Sequence, residues 1–168
     1  RADTAISLVG DSNVVVNSGY VSGQHAVVFS GEFASAENSG TLVARGNTVA
    51  FGADTFLSRM SNSGTIMSLN GSAVVASGTA GLIVFNSGYI SAGVGTAILA
   101  SAASGSTITN SGVISGFNAM ILGGEGDSVV NTGTIAGGVF LSGGDDVFDS
   151  SQGLLSGAID GGTGDDTL

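Results

Sequence analysis

Asn62-Ser63-Gly64-Thr65-Ile66 and Asn86-Ser87-Gly88-Tyr89-Ile90 are one phrase written twice: an Asn, a small hydroxyl residue, a Gly, a variable residue and an aliphatic. The phrase extends both ways along the chain. Upstream lie Asn17-Ser18-Gly19-Tyr20-Val21 and Asn38-Ser39-Gly40-Thr41-Leu42. Downstream lie Asn110-Ser111-Gly112-Val113-Ile114 and Asn131-Thr132-Gly133-Thr134-Ile135, then a decayed copy, Ser151-Gln152-Gly153-Leu154-Leu155. Successive Asn residues are 21, 24, 24, 24 and 21 positions apart, and Ser151 follows 20 later. Self-similarity at this period marks a solenoid.

The residues between the phrases decide which solenoid. They are short runs of Val, Ile, Thr and Phe separated by Gly, Asn and Ser, which is strand-and-turn composition. No unit carries apolar residues at helical spacing, and no Leu lattice of the leucine-rich type is present. The expectation is therefore an all-β, right-handed parallel β-helix of about seven to eight coils, each of 20–24 residues and about 4.8 Å from the next, in a rod about 35 Å long. Residues 1–168 form a single unit: low-charge coils over 1–122 and acidic coils over 123–168.

Within a coil, the aliphatic after the Gly points inward: Val21, Leu42, Ile66, Ile90, Ile114, Ile135 and Leu155. In the following strand, simple alternation starting from its Ala places Ala26/Val28, Ala73/Val75, Ala97/Leu99 and Ala119/Ile121 in the core. It turns Phe29, Ala76, Ala100, Leu122 and Phe140 outward. The Asn residues stack at one corner with their amides bonded along the axis, and the Gly two positions on supplies a positive φ there.

Composition excludes several roles. Three cations, Arg1, Arg45 and Arg59, against 13 acids give a net charge of −10, so no phosphate-binding face exists and nucleic acid is not an expected partner. Without Cys there is no disulfide frame, thiolate metal site or thiol nucleophile. Mean hydropathy is +0.46, yet Gly, Ser or Asn interrupts every apolar run before the roughly 18 residues a membrane helix needs. An enzyme is not expected. His25 is the only His, Asp11, Glu32, Glu37 and Asp54 have no periodic partner, and no paired-carboxylate, Ser-His-Asp or phosphate-loop arrangement is apparent.

The acids are concentrated. Residues 125–168 hold eight of them and no Lys or Arg. The stretch ends in Gly161-Gly162-Thr163-Gly164-Asp165-Asp166-Thr167-Leu168, a match to the GGxGxDxU calcium-binding nonapeptide. Leu141-Ser142-Gly143-Gly144-Asp145-Asp146-Val147-Phe148 keeps its third Gly, Asp pair and closing apolar residue. Gly123-Gly124-Glu125-Gly126-Asp127-Ser128-Val129-Val130 keeps three Gly but sets Ser128 at the motif's Asp position. Starts 18 and 20 residues apart put these copies on successive coils. Gly-rich turns expose carbonyls and Asp adds hard anionic oxygens, the ligand set of calcium.

Two resemblances follow from these residues. The Asn-Ser-Gly-Thr-Ile phrase resembles the coil repeats of filamentous haemagglutinin-like adhesins and autotransporter passengers, which implies a bacterial protein that is secreted or held at the cell surface. The Gly-Asp turns resemble RTX repeats, which implies Ca2+ held by Asp146 and Asp166, with Asp127, Asp145 and Asp165 secondary and Gly144 and Gly164 shaping the turns. Together they imply a structural or adhesive rod segment, a piece of a longer protein, with calcium as its partner. The alternatives are a module that binds a cell-surface ligand, a glycan or ice through an exposed face rowed with Phe29, Phe51 and Phe140, or a fibre subunit associating end to end or laterally. A polysaccharide-modifying β-helix enzyme is a weaker alternative.

Overall fold

A computed structural model describes residues 3–52, 57–78, 81–101 and 104–168. Twenty strands follow one another: β1 (Thr4–Val9), β2 (Val14–Asn17), β3 (Tyr20–Gly23), β4 (His25–Ser30), β5 (Ser35–Asn38), β6 (Thr41–Ala44), β7 (Val49–Phe51), β8 (Ser58–Asn62), β9 (Thr65–Ser68) and β10 (Val74–Ala76). Then come β11 (Leu82–Asn86), β12 (Tyr89–Ala92), β13 (Thr96–Leu99), β14 (Thr107–Asn110), β15 (Val113–Ile121), β16 (Ser128–Asn131), β17 (Thr134–Phe140), β18 (Val147–Asp149), β19 (Leu154–Ser156) and β20 (Ile159–Asp160). No helix occurs among the described residues.

Every strand pairs in parallel with the strand one coil away, so the chain is a parallel β-solenoid of about seven turns with three faces. The first face runs β2-β5-β8-β11-β14-β16-β18. The second runs β3-β6-β9-β12, the start of β15, the start of β17, then β19. The third runs β1-β4-β7-β10-β13, the end of β15, the end of β17, then β20. Like residues stack in rows. Leu42, Ile66, Ile90, Ile114 and Ile135 lie in register on the second face, all at most 1% exposed, with Val21 and Leu155 half-buried at the two ends.

The Asn column forms as its spacing requires. Asn17 Nδ2 donates to Asn38 Oδ1 at 2.7 Å, Asn38 to Asn62 at 2.8 Å, Asn62 to Asn86 at 2.8 Å, Asn86 to Asn110 at 2.7 Å and Asn110 to Asn131 at 2.7 Å. All six are buried. The last rung reaches Ser150 Oγ at 2.8 Å, one residue before the decayed repeat as aligned by sequence. The amide is suited to this place because it carries a donor and an acceptor at once, so one side chain serves the coil above and the coil below.

The corner glycines have a different role from the expected one. Gly40, Gly64, Gly88, Gly112 and Gly133 lie outside the left-handed φ region. A Cβ on any of them would sit 2.1–2.2 Å from the carbonyl oxygen of the equivalent Gly one coil earlier. They are small because backbone packs on backbone along the axis, not because the turn needs a positive φ.

Alternation in the third-face strands is shifted by one residue from the expected pattern. Val27, Phe29, Val74, Ala76, Ile98, Ala100, Met120 and Leu122 are buried, whereas Val28, Leu99 and Ile121 are half-exposed. Ala26, Ala73, Ala97 and Ala119 are buried as well, because the chain turns between the second and third faces there and two consecutive side chains point inward. Val75 is in register with the outward-row residues Ala50 and Leu99, yet it is only 8% exposed. The supposed outward Phe row therefore does not exist: Phe29 and Phe51 stack in the core with centroids 5.1 Å apart, and Phe140 alone of the three faces out.

Candidate functional site: a carboxylate column on the acidic edge

The turns joining the third face to the first carry six of the eight acidic residues of the three late coils; Asp149 and Asp160 lie in β18 and β20. Their length is constant. Ile121, Phe140 and Asp160 are in register before the turn, and Ser128, Val147 and Thr167 are in register after it. Each turn therefore spans six residues: 122–127, 141–146 and 161–166. This moves the first copy by one position relative to the sequence alignment. Asp127, not Ser128, occupies the motif's aspartate position, so Asp127, Asp146 and Asp166 form one inner column. The alignment by glycines missed this because Gly124, Gly143 and Thr163 are the residues that coincide.

The hydrogen bonds within the column run along the axis. Asp166 Oδ1 accepts from the Asp146 N–H at 3.0 Å, and Asp146 Oδ1 from the Asp127 N–H at 2.6 Å. Asp127 Oδ1 accepts from the Ser106 N–H. One coil earlier, Ser106 Oγ accepts from the Leu82 N–H at 3.4 Å. The backbone N–H at this corner points at the next coil, and the side chain below it must supply an oxygen. Ser106 does so with a neutral hydroxyl; the three late coils do so with carboxylates.

Only one oxygen of each carboxylate is used in this way. Asp127 and Asp146 are 2% and 1% exposed, and the Oδ2 of each is buried without a hydrogen-bond partner. Buried polar atoms are rarely left so. Burial pushes the Asp127 carboxyl up to about 6; the Ser106 N–H opposes this and the neighbouring Asp146 charge adds to it. Asp146 is raised for the same first reason, against the pull of the Asp127 N–H, with the charges of Asp166 and Asp145 contributing. Asp166, on the last of these turns, is half-buried.

Asp145 and Asp165 form a second, outer and exposed pair, with the Asp165 N–H donating to Asp145 Oδ1 at 2.9 Å. Gly144 and Gly164 stack beside them at φ +108° and +133°, a conformation side-chain-bearing residues rarely adopt, and a Cβ on Gly164 would meet the Gly144 carbonyl at 2.1 Å. All seven residues singled out in the sequence, Asp127, Asp145, Asp146, Asp165, Asp166, Gly144 and Gly164, thus lie on this one edge. Among the described residues, no three acidic or imidazole side chains gather into a complete metal-ligand group. A cation here would draw on carboxylates in pairs and on main-chain carbonyls of the Gly turns, a donor set of hard oxygens that suits calcium.

The other polar residues considered do not converge. His25 Nδ1 lies 3.2 Å from the Asn47 carbonyl oxygen at the corner between the second and third faces. The Arg59 guanidinium lies over the Phe85 ring, 4.7 Å from its centroid, on the first face. Asp11 Oδ1 accepts from the Glu32 N–H at 2.9 Å. Asp54 and Arg1 lie outside the described residues. No helix among the described residues is long and apolar enough to cross a membrane. The chain matches no protein-family model, no curated protein and no solved structure.

Proposed function

We propose that the chain is a structural rod segment of an exported bacterial surface protein, and that calcium binds along its acidic edge and stiffens the last coils. The observation that carries this is the pair of buried, unpartnered Oδ2 atoms of Asp127 and Asp146 on neighbouring coils, in a segment of eight acids with no Lys or Arg. Left alone, buried like charges repel and lack hydration. A divalent cation removes both costs by replacing the lost water with a charge of opposite sign. Asp127, Asp146 and Asp166 would supply the inner carboxylate oxygens, Asp145 and Asp165 the outer ones, and the turns at Gly144 and Gly164 the exposed carbonyls. No bond is made or broken, so the function is mechanical: a stiff spacer whose acidic end holds its shape when the ion is present.

The test is a calcium titration followed by circular dichroism and thermal melting in a buffer first stripped with chelator. Binding to the folded chain alone stabilises it by about 2.7 kcal/mol at a hundredfold excess over the dissociation constant. Asp146→Ala combined with Asp166→Ala is expected to abolish that rise. A wild-type melting curve indifferent to calcium would refute the ion-binding half of the proposal.

A further inference from the structure

Between Arg59 and Glu125 the chain has 65 consecutive residues, 60–124, without a Lys, Arg, His, Asp or Glu. At the one charged residue in four usual for soluble domains, about 16 would be expected. This stretch winds through the middle coils, so the rod carries a charge-free belt between its ends. Among the described residues, Phe85 and Tyr89 of the belt are 38% and 37% exposed, but its most exposed apolar side chains stand at the corner joining the second face to the third. There Leu69, Val94 and Phe117, on three successive coils, are 46%, 66% and 80% exposed. The corner can hold them because its loops are short and glycine-rich: Gly93 and Gly95 flank Val94, and Gly116 precedes Phe117. The pairing within β15 is interrupted between Ser115 and Asn118, which turns Phe117 out of the ladder.

We infer that this corner is a self-association surface, and that two copies of the chain pack side by side and antiparallel across it. Charge selects the occupant. Two chains of −10 each repel most where their acidic ends meet and least where neither presents charge, and the belt is that region. Charge also selects the direction. A two-fold axis through the coil of Val94 sends the acidic residues 125–168 of the two copies to opposite ends of the pair. A parallel pair would lay two segments of −8 side by side. The ridge is self-complementary under that axis, as an isologous contact requires: Val94 meets the partner's Val94, and Leu69 meets the partner's Phe117. Arg45, on the same corner one coil before Leu69, then points toward the partner's acidic half. This surface is independent of the carboxylate column, which lies on the corner between the third face and the first.

The test is sedimentation velocity on the whole chain across a concentration series, in chelator so that calcium bridges do not contribute. A reversible monomer–dimer equilibrium is expected. Phe117→Asp should raise its dissociation constant by at least about thirtyfold, as loss of a central aromatic anchor does. Val16→Asp, at a 71% exposed position on the first face, should leave it unchanged. Phe117 is too exposed for its replacement to threaten folding, and circular dichroism checks this directly. Disulfide trapping supplies the geometry, since the native chain has no Cys. Val94→Cys should cross-link to itself across the axis. Leu69→Cys should cross-link with Phe117→Cys in a mixture, and neither should do so alone. The inference is overturned by a monomer at every concentration, by a dimer indifferent to Phe117→Asp, or by trapping that favours Phe117 with Phe117. Flotation of a monomeric chain with phosphatidylcholine vesicles would assign the ridge to a lipid surface instead.

Discussion

Asp127→Asn is the substitution that most directly tests the carboxylate column. The carboxyl of Asp127 titrates near 6 in the folded chain, against an ordinary value of 3.8. The folded state therefore holds this proton more tightly than the unfolded state. The stability contributed by the proton is fully present below about pH 4 and is lost as the pH rises through about 6. The interval corresponds to about 3 kcal/mol for the calcium-free chain at neutral pH. Asn keeps the shape and the Oδ1 acceptor for the Ser106 N–H, and it cannot ionise. In chelator at pH 7.5 the variant should be more stable than the native chain by up to about 3 kcal/mol. At pH 4.5, where the folded carboxyl is protonated but the unfolded one is still mostly ionised, the gap should shrink to about 1 kcal/mol. Urea unfolding at both pH values measures this, with unchanged slope showing that the unfolding unit is the same. Calcium should then help the native chain more at pH 7.5 than at pH 5, since proton and cation compete for the same oxygens. A variant equally destabilised at both pH values would show that the carboxylate is held by its hydrogen bonds and that its desolvation is unimportant.

Five further substitutions test the coils themselves. Asn86→Ala removes one rung, leaving Asn110 Oδ1 without its 2.7 Å donor and Asn62 Nδ2 without its 2.8 Å acceptor; urea unfolding should report a loss of about 2–4 kcal/mol. Gly64→Ala places a Cβ 2.1 Å from the Gly40 carbonyl oxygen, whereas at Gly19 the nearest atom is Asn17 Oδ1 at 4.0 Å. The first should cost about 3 kcal/mol or prevent folding and the second under about 1 kcal/mol, so equal thermal shifts in the two variants would disprove the stacking account of these glycines. Phe29→Ala should cost about 3–5 kcal/mol, because it empties a fully buried ring site stacked on Phe51. Val28→Ala should cost about 1 kcal/mol, because Val28 faces outward and is only half covered. The reverse order of melting temperatures would restore the simple alternation read from the sequence.

The coil period and the Asn ladder were legible because both are local and repeated. One phrase at nearly constant spacing forces equivalent residues into register, and a buried row of amides has few other ways to pair its donors and acceptors. Inward rows such as Ile66, Ile90 and Ile114 follow directly from the same register. Alternation failed at Ala26-Val27 and its counterparts because period-2 reasoning assumes a straight strand, and a corner lets two successive side chains face the same way. The acidic residues were legible as a group, whereas their exact column was not. Aligning glycines set Ser128 where the pairing of Ser128 with Val147 sets Asp127, because backbone hydrogen bonds, not residue identity, fix the register of a turn.

By itself the sequence determined that this chain winds, how many residues each winding takes, which Asn and aliphatic residues stack, and that its charge collects at one end. Those properties depend on spacing and composition alone. Only the tertiary structure decided that the glycines serve close approach of backbone to backbone, that Phe29 and Phe51 are core, and that Asp127 and Asp146 each bury an oxygen with nothing to bind. These depend on what lies one coil away along the axis, some twenty residues distant in the chain, where the identity of a residue says nothing of which atom its neighbour presents.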